Sequence, residues 1–176
     1  MIQVYDVLVV GGGPAGLYTA DRLARTGRSV AVFEEHPAIG LPVHCTGIVA
    51  AEAFGRFRLP RTAVLGELKE TRFYSPSGYE LNYATDSPET VVIDRQQFDQ
   101  SLADQAVAAG ATLYLGERVV AIQRDTHAVT LHTQQQAVNG QLVVIATGAA
   151  YHLHRQLGLD LPTQFVQTAQ GEIDCT

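Results

Sequence analysis

The sequence predicts an α/β fold in which a parallel sheet is followed by a β-meander. Three observations carry this prediction. An apolar run at residues 4 to 10 ends in three glycines, a segment with helical spacing follows it, and a second apolar run ends in Glu34 and Glu35. A strand, a helix and a strand in this order form a βαβ unit, whose two strands lie parallel in one sheet.

The first strand is predicted over residues 4 to 10, because a nearly continuous apolar pattern is typical of a strand that is buried on both faces. From Ala15 to Thr26 apolar residues recur at helical spacing, and Gly27 is placed to end the helix. The second strand is predicted from Ser29 to about Glu34. These three elements complete the βαβ unit.

The segment after the second strand is predicted to be irregular up to about Glu67, because prolines interrupt it. Two strands are then expected at 69–75 and 78–84, around a turn that joins them as a hairpin, and a third at 90–94. We expect the strands between residues 68 and 94 to belong to a second sheet.

The rest of the chain returns to the first sheet. Phe98, Leu102 and Ala106 share one helical face, which predicts a helix over residues 95 to 109. The strands expected after it are 111–116, 118–125, 128–133 and 141–148, and those after Arg118 form a three-stranded meander that reaches about Ile145. The residue pattern at 167 to 176 alternates in a way that is typical of a strand, which predicts a closing strand there.

Composition excludes several classes of function. The net charge of −6 has no local basic block to offset it, so nucleic acid is not expected as a partner. The first apolar run is too short to cross a bilayer and lacks a cationic leader, which favours a cytoplasmic protein. Cys45 and Cys175 cannot build a disulfide framework, and the histidines and cysteines lack metal-ligand spacing.

Between the first strand and the helix, Gly11, Gly13 and Gly16 have the GxGxxG spacing of a Rossmann dinucleotide-binding fingerprint. Gly11 permits the tight turn, Gly13 lets a pyrophosphate approach the backbone, and Gly16 allows close packing of helix and sheet. The helix N-terminus then faces the phosphates with the positive end of its dipole. The sequence therefore predicts a dinucleotide site at this loop.

Glu34, at the end of the second strand, lies 23 residues after Gly11, which is the distance expected for the acidic residue of the fingerprint. Its carboxylate can accept hydrogen bonds from both hydroxyls of a ribose and would repel a 2′-phosphate. The nucleotide is therefore expected to be FAD or NAD rather than NADP.

Four segments together resemble the geranylgeranyl reductase family of FAD-dependent oxidoreductases, within the larger group of p-hydroxybenzoate hydroxylase-like flavoproteins. They are "DVLVVGGGPAGLYTADRLARTG", "VFEEHPAIGLPVHCTGIV", "DRQQFDQSLADQAVAAGATL" and "LVVIATGAAYHLHRQLGL". The first and third mark the larger group, and the loop with proline and cysteine points to the reductases. The resemblance runs from Tyr5 to about Ile173.

The resemblance implies that FAD is the cofactor and that Cys45 faces the substrate. A thiol near the flavin could donate a proton as a hydride leaves for an alkene, although a free cysteine could also serve only as a small packing residue. Arg95 is implied near the flavin ribityl or phosphate region, with helix solubility as its other explanation. The implied FAD contacts are Gly11, Gly13, Pro14, Ala15, Gly16, Glu34, Glu35, Cys45, Thr46, Gly47, Arg95, Val119, Val120, Thr147 and Gly148.

For Val119 and Val120, the resemblance implies backbone hydrogen bonds to adenine. The other explanation is that both are core residues of a strand, which is compatible with the same contact. The hydroxylase branch carries an aspartate at the position of Thr147 and a serine near the position of Tyr151, so this chain departs from that branch at both places. Arg155 still matches the arginine of the branch that leads into a short helix. Aromatic hydroxylation is therefore less favoured than reduction.

Members of the family are roughly twice as long as this chain, and their second FAD motif and lipid-pocket segment are not found here. We therefore expect residues 1–176 to be an N-terminal FAD-binding domain, with 68–94 and 166–176 contributing strands of an incomplete substrate-binding domain.

The function implied is the reduction of carbon–carbon double bonds in an isoprenoid (geranylgeranyl) lipid, with NAD(P)H or ferredoxin as electron donor and with peripheral membrane contact. The alternatives are an FAD monooxygenase or halogenase on the same scaffold and, for this short chain, a non-catalytic FAD-binding module. Fast NADPH oxidation that depends on an aromatic substrate would indicate the first alternative.

Overall fold

The computed structural model describes residues 4 to 126 and 128 to 166. The chain divides into two compact units. Among the described residues, the first unit is formed by 4–41 and by 99–166, and the second unit by 42–98. The elements in chain order are β1 (Val4–Val10), α1 (Pro14–Ala24), β2 (Val30–Glu34), β3 (Ile48–Ala50), α2 (Ala51–Phe57), β4 (Val64–Leu68), β5 (Glu70–Tyr74), β6 (Glu80–Ala84), β7 (Thr90–Ile93), α3 (Arg95–Ala108), β8 (Thr112–Leu115), β9 (Val119–Arg124), β10 (Val129–Thr133), β11 (Ala137–Ile145) and α4 (His152–Gln156).

A six-stranded sheet in the order β8-β2-β1-β11-β10-β9 forms the centre of the first unit. Its first four strands pair in parallel, and β9, β10 and β11 follow one another as an antiparallel meander. The predicted α/β fold, with a parallel sheet and a β-meander, is confirmed. The last strand begins at Ala137 rather than at 141, because Ala137 already pairs with His132 of β10.

The buried position of β1 explains its nearly continuous apolar sequence. Leu8 faces a core that contains Leu131 of the meander and Leu153 of α4, all three fully buried. Val9, on the opposite face, packs in a core with Ala20 of α1. Because both faces of the strand are covered, an alternating pattern of polar residues would leave polar groups without water.

Helix α1 begins at Pro14, one residue before the predicted start, and ends at Ala24. Proline suits this first position because it has no N–H and its φ angle is already helical. Gly27 has φ +82° and donates its N–H to the Ala24 carbonyl, as expected of a residue that ends a helix. The βαβ unit is thus formed as predicted.

The second unit contains regular structure where the sequence predicted an irregular segment. Strand β7 is the centre of a three-stranded antiparallel sheet, with β3 on one side and β4 on the other. Val91 and Ile93 of β7 are buried, whereas β3 has only three residues. Short strands that depend on pairing with a distant strand leave little local pattern, which is why β3 and β4 were not predicted. Helix α2 was not predicted either, and its seven residues give only a short helical pattern.

Strands β5 and β6 form the predicted hairpin as a separate two-stranded sheet. The strands between residues 68 and 94 therefore belong to two sheets, and the expectation of one is corrected. Phe73 lies opposite Leu81, and both side chains are exposed. The assignment of this segment to a substrate-binding domain stays a prediction.

The predicted closing strand at 167–176, with Cys175, lies outside the described residues. Within the part that the structure describes, no helix has both the length and the apolar character needed to cross a bilayer. Residues 4–126 and 128–166 also contain no group of three or more His, Cys, Asp or Glu side chains placed to hold a metal ion.

Candidate functional site

Two glycines of the fingerprint are required by backbone packing in the first unit. Gly11 has φ +111°, and a Cβ on it would lie 2.3 Å from the Ala146 carbonyl oxygen at the end of β11. A Cβ on Gly16 would lie 2.0 Å from the carbonyl oxygen of Gly11. Both distances are far shorter than any van der Waals contact. The loop between β1 and α1 can therefore close only with glycine at both positions.

Gly13 is different, because a Cβ there would meet nothing within 4 Å. Its φ of −80° and ψ of 178° are accessible to any residue, so the fold does not demand glycine at this position. The open space lies at the start of α1, which has neither a side-chain cap nor an acidic residue in its first turn. Backbone N–H groups and open space at a helix N-terminus fit the pyrophosphate of a dinucleotide.

Glu34 ends β2 beside this loop, as the fingerprint predicts. Its Oε2 accepts the N–H of Gly12 at 2.6 Å. Its Oε1 accepts two donors of His36, the backbone N–H at 2.9 Å and the ring Nδ1 at 2.5 Å. The Glu34 side chain is only 12% exposed. The carboxylate is thus held in one position next to the glycine loop.

Gly12 and His36 are the two residues of this arrangement that the sequence reasoning missed. A Cβ on Gly12 would lie 2.9 Å from the Cβ of Glu34, so the loop and β2 approach closely at this point. The sequence signal for this close approach is the glycine at position 12, between the two fingerprint glycines at 11 and 13. No sequence pattern marks a histidine two residues after the acid.

Glu35 forms an ion pair with Arg118, whose Nε lies 3.4 Å from its Oε2. Val119 is buried, and its carbonyl accepts a hydrogen bond from His152 Nε2 at 3.2 Å. Val120 is 43% exposed on β9, the edge strand of the six-stranded sheet. The roles of Glu35, Val119 and Val120 toward FAD stay predictions.

Thr147 and Gly148 form a turn directly after β11. The Oγ1 of Thr147 donates to the Ala150 carbonyl at 2.8 Å, and Ala150 returns its N–H to the Thr147 carbonyl at 3.1 Å. Gly148 has φ +57°. Since Ala146 packs against Gly11, this turn begins next to the fingerprint loop. The contacts of Thr147 and Gly148 with FAD stay predictions. Arg155 lies within α4 rather than before it.

The remaining candidate residues lie in the second unit. Gly47 has φ +74°, and its carbonyl accepts the N–H of Ile93 of β7 at 2.9 Å. It has no room for a Cβ, which would lie 2.2 Å from the Ile93 carbonyl oxygen. Its neighbours differ in exposure, since Cys45 is a half-buried free thiol and Thr46 is exposed. Gly47 thus fixes the end of the loop that carries the cysteine.

Arg95 is the first residue of α3. Asp94 precedes it, and its Oδ1 accepts the Gln97 N–H at 2.9 Å, so Asp94 caps the N-terminus of the helix. The cap fixes the backbone at Arg95. The contact of Arg95 with FAD stays a prediction.

Two polar groups in the first unit have unusual surroundings. Tyr114 exchanges a hydrogen bond with the Tyr5 hydroxyl at 2.8 Å, and this bond, together with burial, raises the pKa of Tyr114 to about 12. Glu117 is 8% exposed, and its N–H donates to the Glu34 carbonyl. Its Oε1 accepts Gln136 Nε2 at 3.2 Å, but its buried Oε2 has no partner. Sequence reasoning identified neither group.

Comparison with known proteins supports the family that the sequence resembles. The digeranylgeranylglycerophospholipid reductase of Methanoculleus marisnigri is 32% identical over 165 residues, which are 89% of this chain and 42% of that protein. A geranylgeranyl bacteriochlorophyll reductase-like protein of Thermoplasma acidophilum has a TM-score of 0.80 at 26% identity, over 90% of this chain and 43% of that one. The predicted resemblance to the geranylgeranyl reductases is confirmed.

The chain spans less than half the length of these two proteins. An uncharacterized protein encoded in the nifH2 5′ region of Methanosarcina barkeri is 30% identical, and the match covers 89% of each of the two chains. The family model for pyridine nucleotide-disulphide oxidoreductase matches residues 5–171. The chain therefore belongs to the pyridine nucleotide-disulphide oxidoreductase family.

Proposed function

We propose that this chain is the FAD-binding part of an oxidoreductase that reduces carbon–carbon double bonds in an isoprenoid lipid with geranylgeranyl groups. The observation that carries the proposal is the similarity, over 89% of the chain, to a digeranylgeranylglycerophospholipid reductase. The likeness to the Thermoplasma acidophilum structure supports it.

The first unit binds the ADP half of FAD. The space at Gly13 and the backbone N–H groups of the first turn of α1 hold the pyrophosphate, where the helix dipole also favours negative charge. The carboxylate of Glu34 accepts a hydrogen bond from the adenosine ribose. Its fixed position beside Gly12 supports this role, because no rearrangement is needed on binding.

Cys45 is the proposed catalytic residue. The chemistry that FAD would supply here, once reduced by NAD(P)H or ferredoxin, is a hydride for one carbon of the double bond. The half-buried thiol of Cys45 holds the proton that the other carbon needs, so that two hydrogens add across the bond. The other proposed FAD contacts are Pro14, Ala15, Glu35, Thr46, Gly47, Arg95, Val119, Val120, Thr147 and Gly148. An apolar lipid substrate favours peripheral contact with a membrane.

A titration with FAD tests the cofactor site. The flavin absorption band should shift when the purified chain is added, and Glu34→Ala should weaken the affinity by at least about tenfold, because one charge-assisted hydrogen bond is lost. Glu80→Ala is the control, since it removes the same charge from an exposed position that has no proposed contact with FAD. Equal affinity in the wild type and Glu34→Ala would contradict the assignment of the fingerprint.

Anaerobic reoxidation of the flavin tests the reaction. The FAD-loaded chain is reduced with dithionite, a geranylgeranyl lipid is added, and both the flavin band and the mass of the lipid are followed. A lipid that gains two hydrogens supports the reductase, and Cys45→Ser should slow this step whereas Cys175→Ser should not. Tight FAD binding without reoxidation would instead indicate a non-catalytic FAD-binding module. In a separate aerobic assay, fast NADPH oxidation that depends on an aromatic substrate would indicate a monooxygenase.

A further inference from the structure

The carboxylate of Glu34 is already largely engaged by the protein itself. Oε1 accepts both the backbone N–H and the ring Nδ1 of His36, and Oε2 accepts the N–H of Gly12. Since an ionised carboxylate has no hydrogen to give, Nδ1 must carry the hydrogen of the short contact. Three of the roughly four lone-pair positions of this carboxylate are therefore occupied.

The free acceptor position lies on Oε2, because Oε1 already has two donors. Other charged groups nearby do not change the number of occupied acceptor positions on the Glu34 carboxylate. Arg118 pairs with Glu35, and the N–H of Glu117 bonds to the backbone carbonyl of Glu34 rather than to its side chain. The side chain of His36 is 43% exposed, so its position depends mainly on the bond to Oε1.

We infer that His36 is a positioning and specificity-determining residue, which limits Glu34 to one hydroxyl of the adenosine ribose. This inference rests on the proposed function. It narrows the expectation from the sequence, in which the carboxylate accepts both hydroxyls. His36 orients the carboxylate and occupies the oxygen that would otherwise accept the second hydroxyl.

The test compares three probes on the full chain by calorimetry: ADP, 2′-deoxyADP and 3′-deoxyADP. The wild type should bind one deoxy analogue about tenfold more weakly than ADP, because a hydrogen bond to a charged group is lost. It should bind the other analogue within about twofold of ADP, because the protein makes no hydrogen bond to that hydroxyl.

Two variants of His36 distinguish this role from a general effect on folding. His36→Ala frees a lone pair of Oε1, so both deoxy analogues should then bind more weakly than ADP. His36→Asn should restore the wild-type pattern, because its amide nitrogen can donate from the place of Nδ1. His44→Ala removes an exposed histidine of the second unit and should leave the pattern unchanged.

Two results would overturn the inference while ADP still binds: a wild type that loses affinity for both analogues, or a His36→Ala variant that keeps the wild-type pattern. Failure of the proposed function looks different. In that case ADP either fails to bind or binds equally to the wild type and Glu34→Ala, and the inference about His36 falls with it.

Discussion

Glu117 is a buried carboxylate whose two oxygens have different surroundings. Oε1 accepts Gln136, but Oε2 is buried without a hydrogen-bond partner. A buried charge without full compensation is costly, and a neutral amide of the same shape costs less. Glu117→Gln should therefore raise the free energy of unfolding by about 1 kcal/mol, while the Gln136 contact is kept.

Urea denaturation at neutral pH measures this effect. Glu80→Gln is the matched control, since it removes the same charge from an exposed position and should change stability by less than about 0.5 kcal/mol. A large loss of stability in Glu117→Gln would contradict the prediction. It would show that the charge of Oε2 is compensated by the protein or by water.

Tyr114 predicts a dependence of stability on alkaline pH. The Tyr5 hydroxyl and burial raise the pKa of Tyr114 to about 12, whereas an unfolded tyrosine titrates near its ordinary value of 10.0. Between these values the folded state binds more protons than the unfolded state, so stability falls as pH rises. The contribution of Tyr114 is complete below pH 10 and is lost as pH approaches about 12.

Denaturant unfolding at several pH values above 9 checks this prediction for Tyr114. Tyr114→Phe should lose about 1 kcal/mol at neutral pH, because the bond to Tyr5 is removed, and should lose less stability than the wild type on going to high pH. Tyr79→Phe, at an exposed position, is the control. An unchanged slope in Tyr114→Phe would contradict the assignment of the raised pKa.

For single residues, the sequence predicted those whose role follows from the spacing of a motif along the chain. The fingerprint specifies Gly11, Gly16 and Glu34. In the structure a Cβ on either glycine would collide with a carbonyl oxygen, and the Glu34 carboxylate accepts the N–H of Gly12. His36 and Glu117 were missed for a physical reason. Their side chains bond to groups that only the fold brings near them, and no spacing rule encodes such contacts.

The turn between β1 and α1 allows a prediction about a whole element. Gly13→Ala places a Cβ in open space and a permitted backbone conformation, so the chain should fold with unchanged stability. The same methyl group lies where the pyrophosphate is proposed to approach, so FAD affinity should fall by at least about tenfold. Thermal unfolding and FAD titration together check both parts.

Gly16→Ala is the matched variant, because it adds the same methyl group three residues later. Its Cβ would lie 2.0 Å from the Gly11 carbonyl oxygen, so α1 must move away from β1. We expect a loss of about 2 kcal/mol or more, in the range of overpacking in a core. Equal stability of the two variants would contradict the packing described for the turn.

At the element scale, prediction succeeded where a segment carries its own pattern. The buried strand β1, helix α1 and the β5–β6 hairpin all have local signals, namely a continuous apolar run, helical spacing and a turn. Strand β3 has no such signal, because its three residues are a strand only through pairing with β7.

For the whole molecule, the candidate residues fall on both compact units. The fingerprint, Glu34 and the turn at Thr147 lie in the first unit, and Cys45 lies with Thr46 and Gly47 in the second. The family model covers both units, since it matches residues 5–171. A measurement of each segment separately is therefore needed to test the proposed FAD contacts.

Hydrogen exchange with FAD and with ADP provides this measurement. ADP should slow exchange at the N–H groups of residues 11–17 and 34–36, because it carries the pyrophosphate and ribose that those segments are proposed to bind. FAD should protect the same groups and, in addition, those of residues 45–47, since only FAD has the flavin ring assigned to that loop.

A hydrogen-bonded amide that must open before it exchanges reports local stability, and a tight ligand should slow its exchange by at least about tenfold. Gly13→Ala should reduce both effects strongly at the same ligand concentration, because its affinity is expected to be lower. If FAD and ADP protect the same residues, Cys45, Thr46 and Gly47 do not contact the flavin, and the proposed role of Cys45 as proton donor fails while the nucleotide site remains.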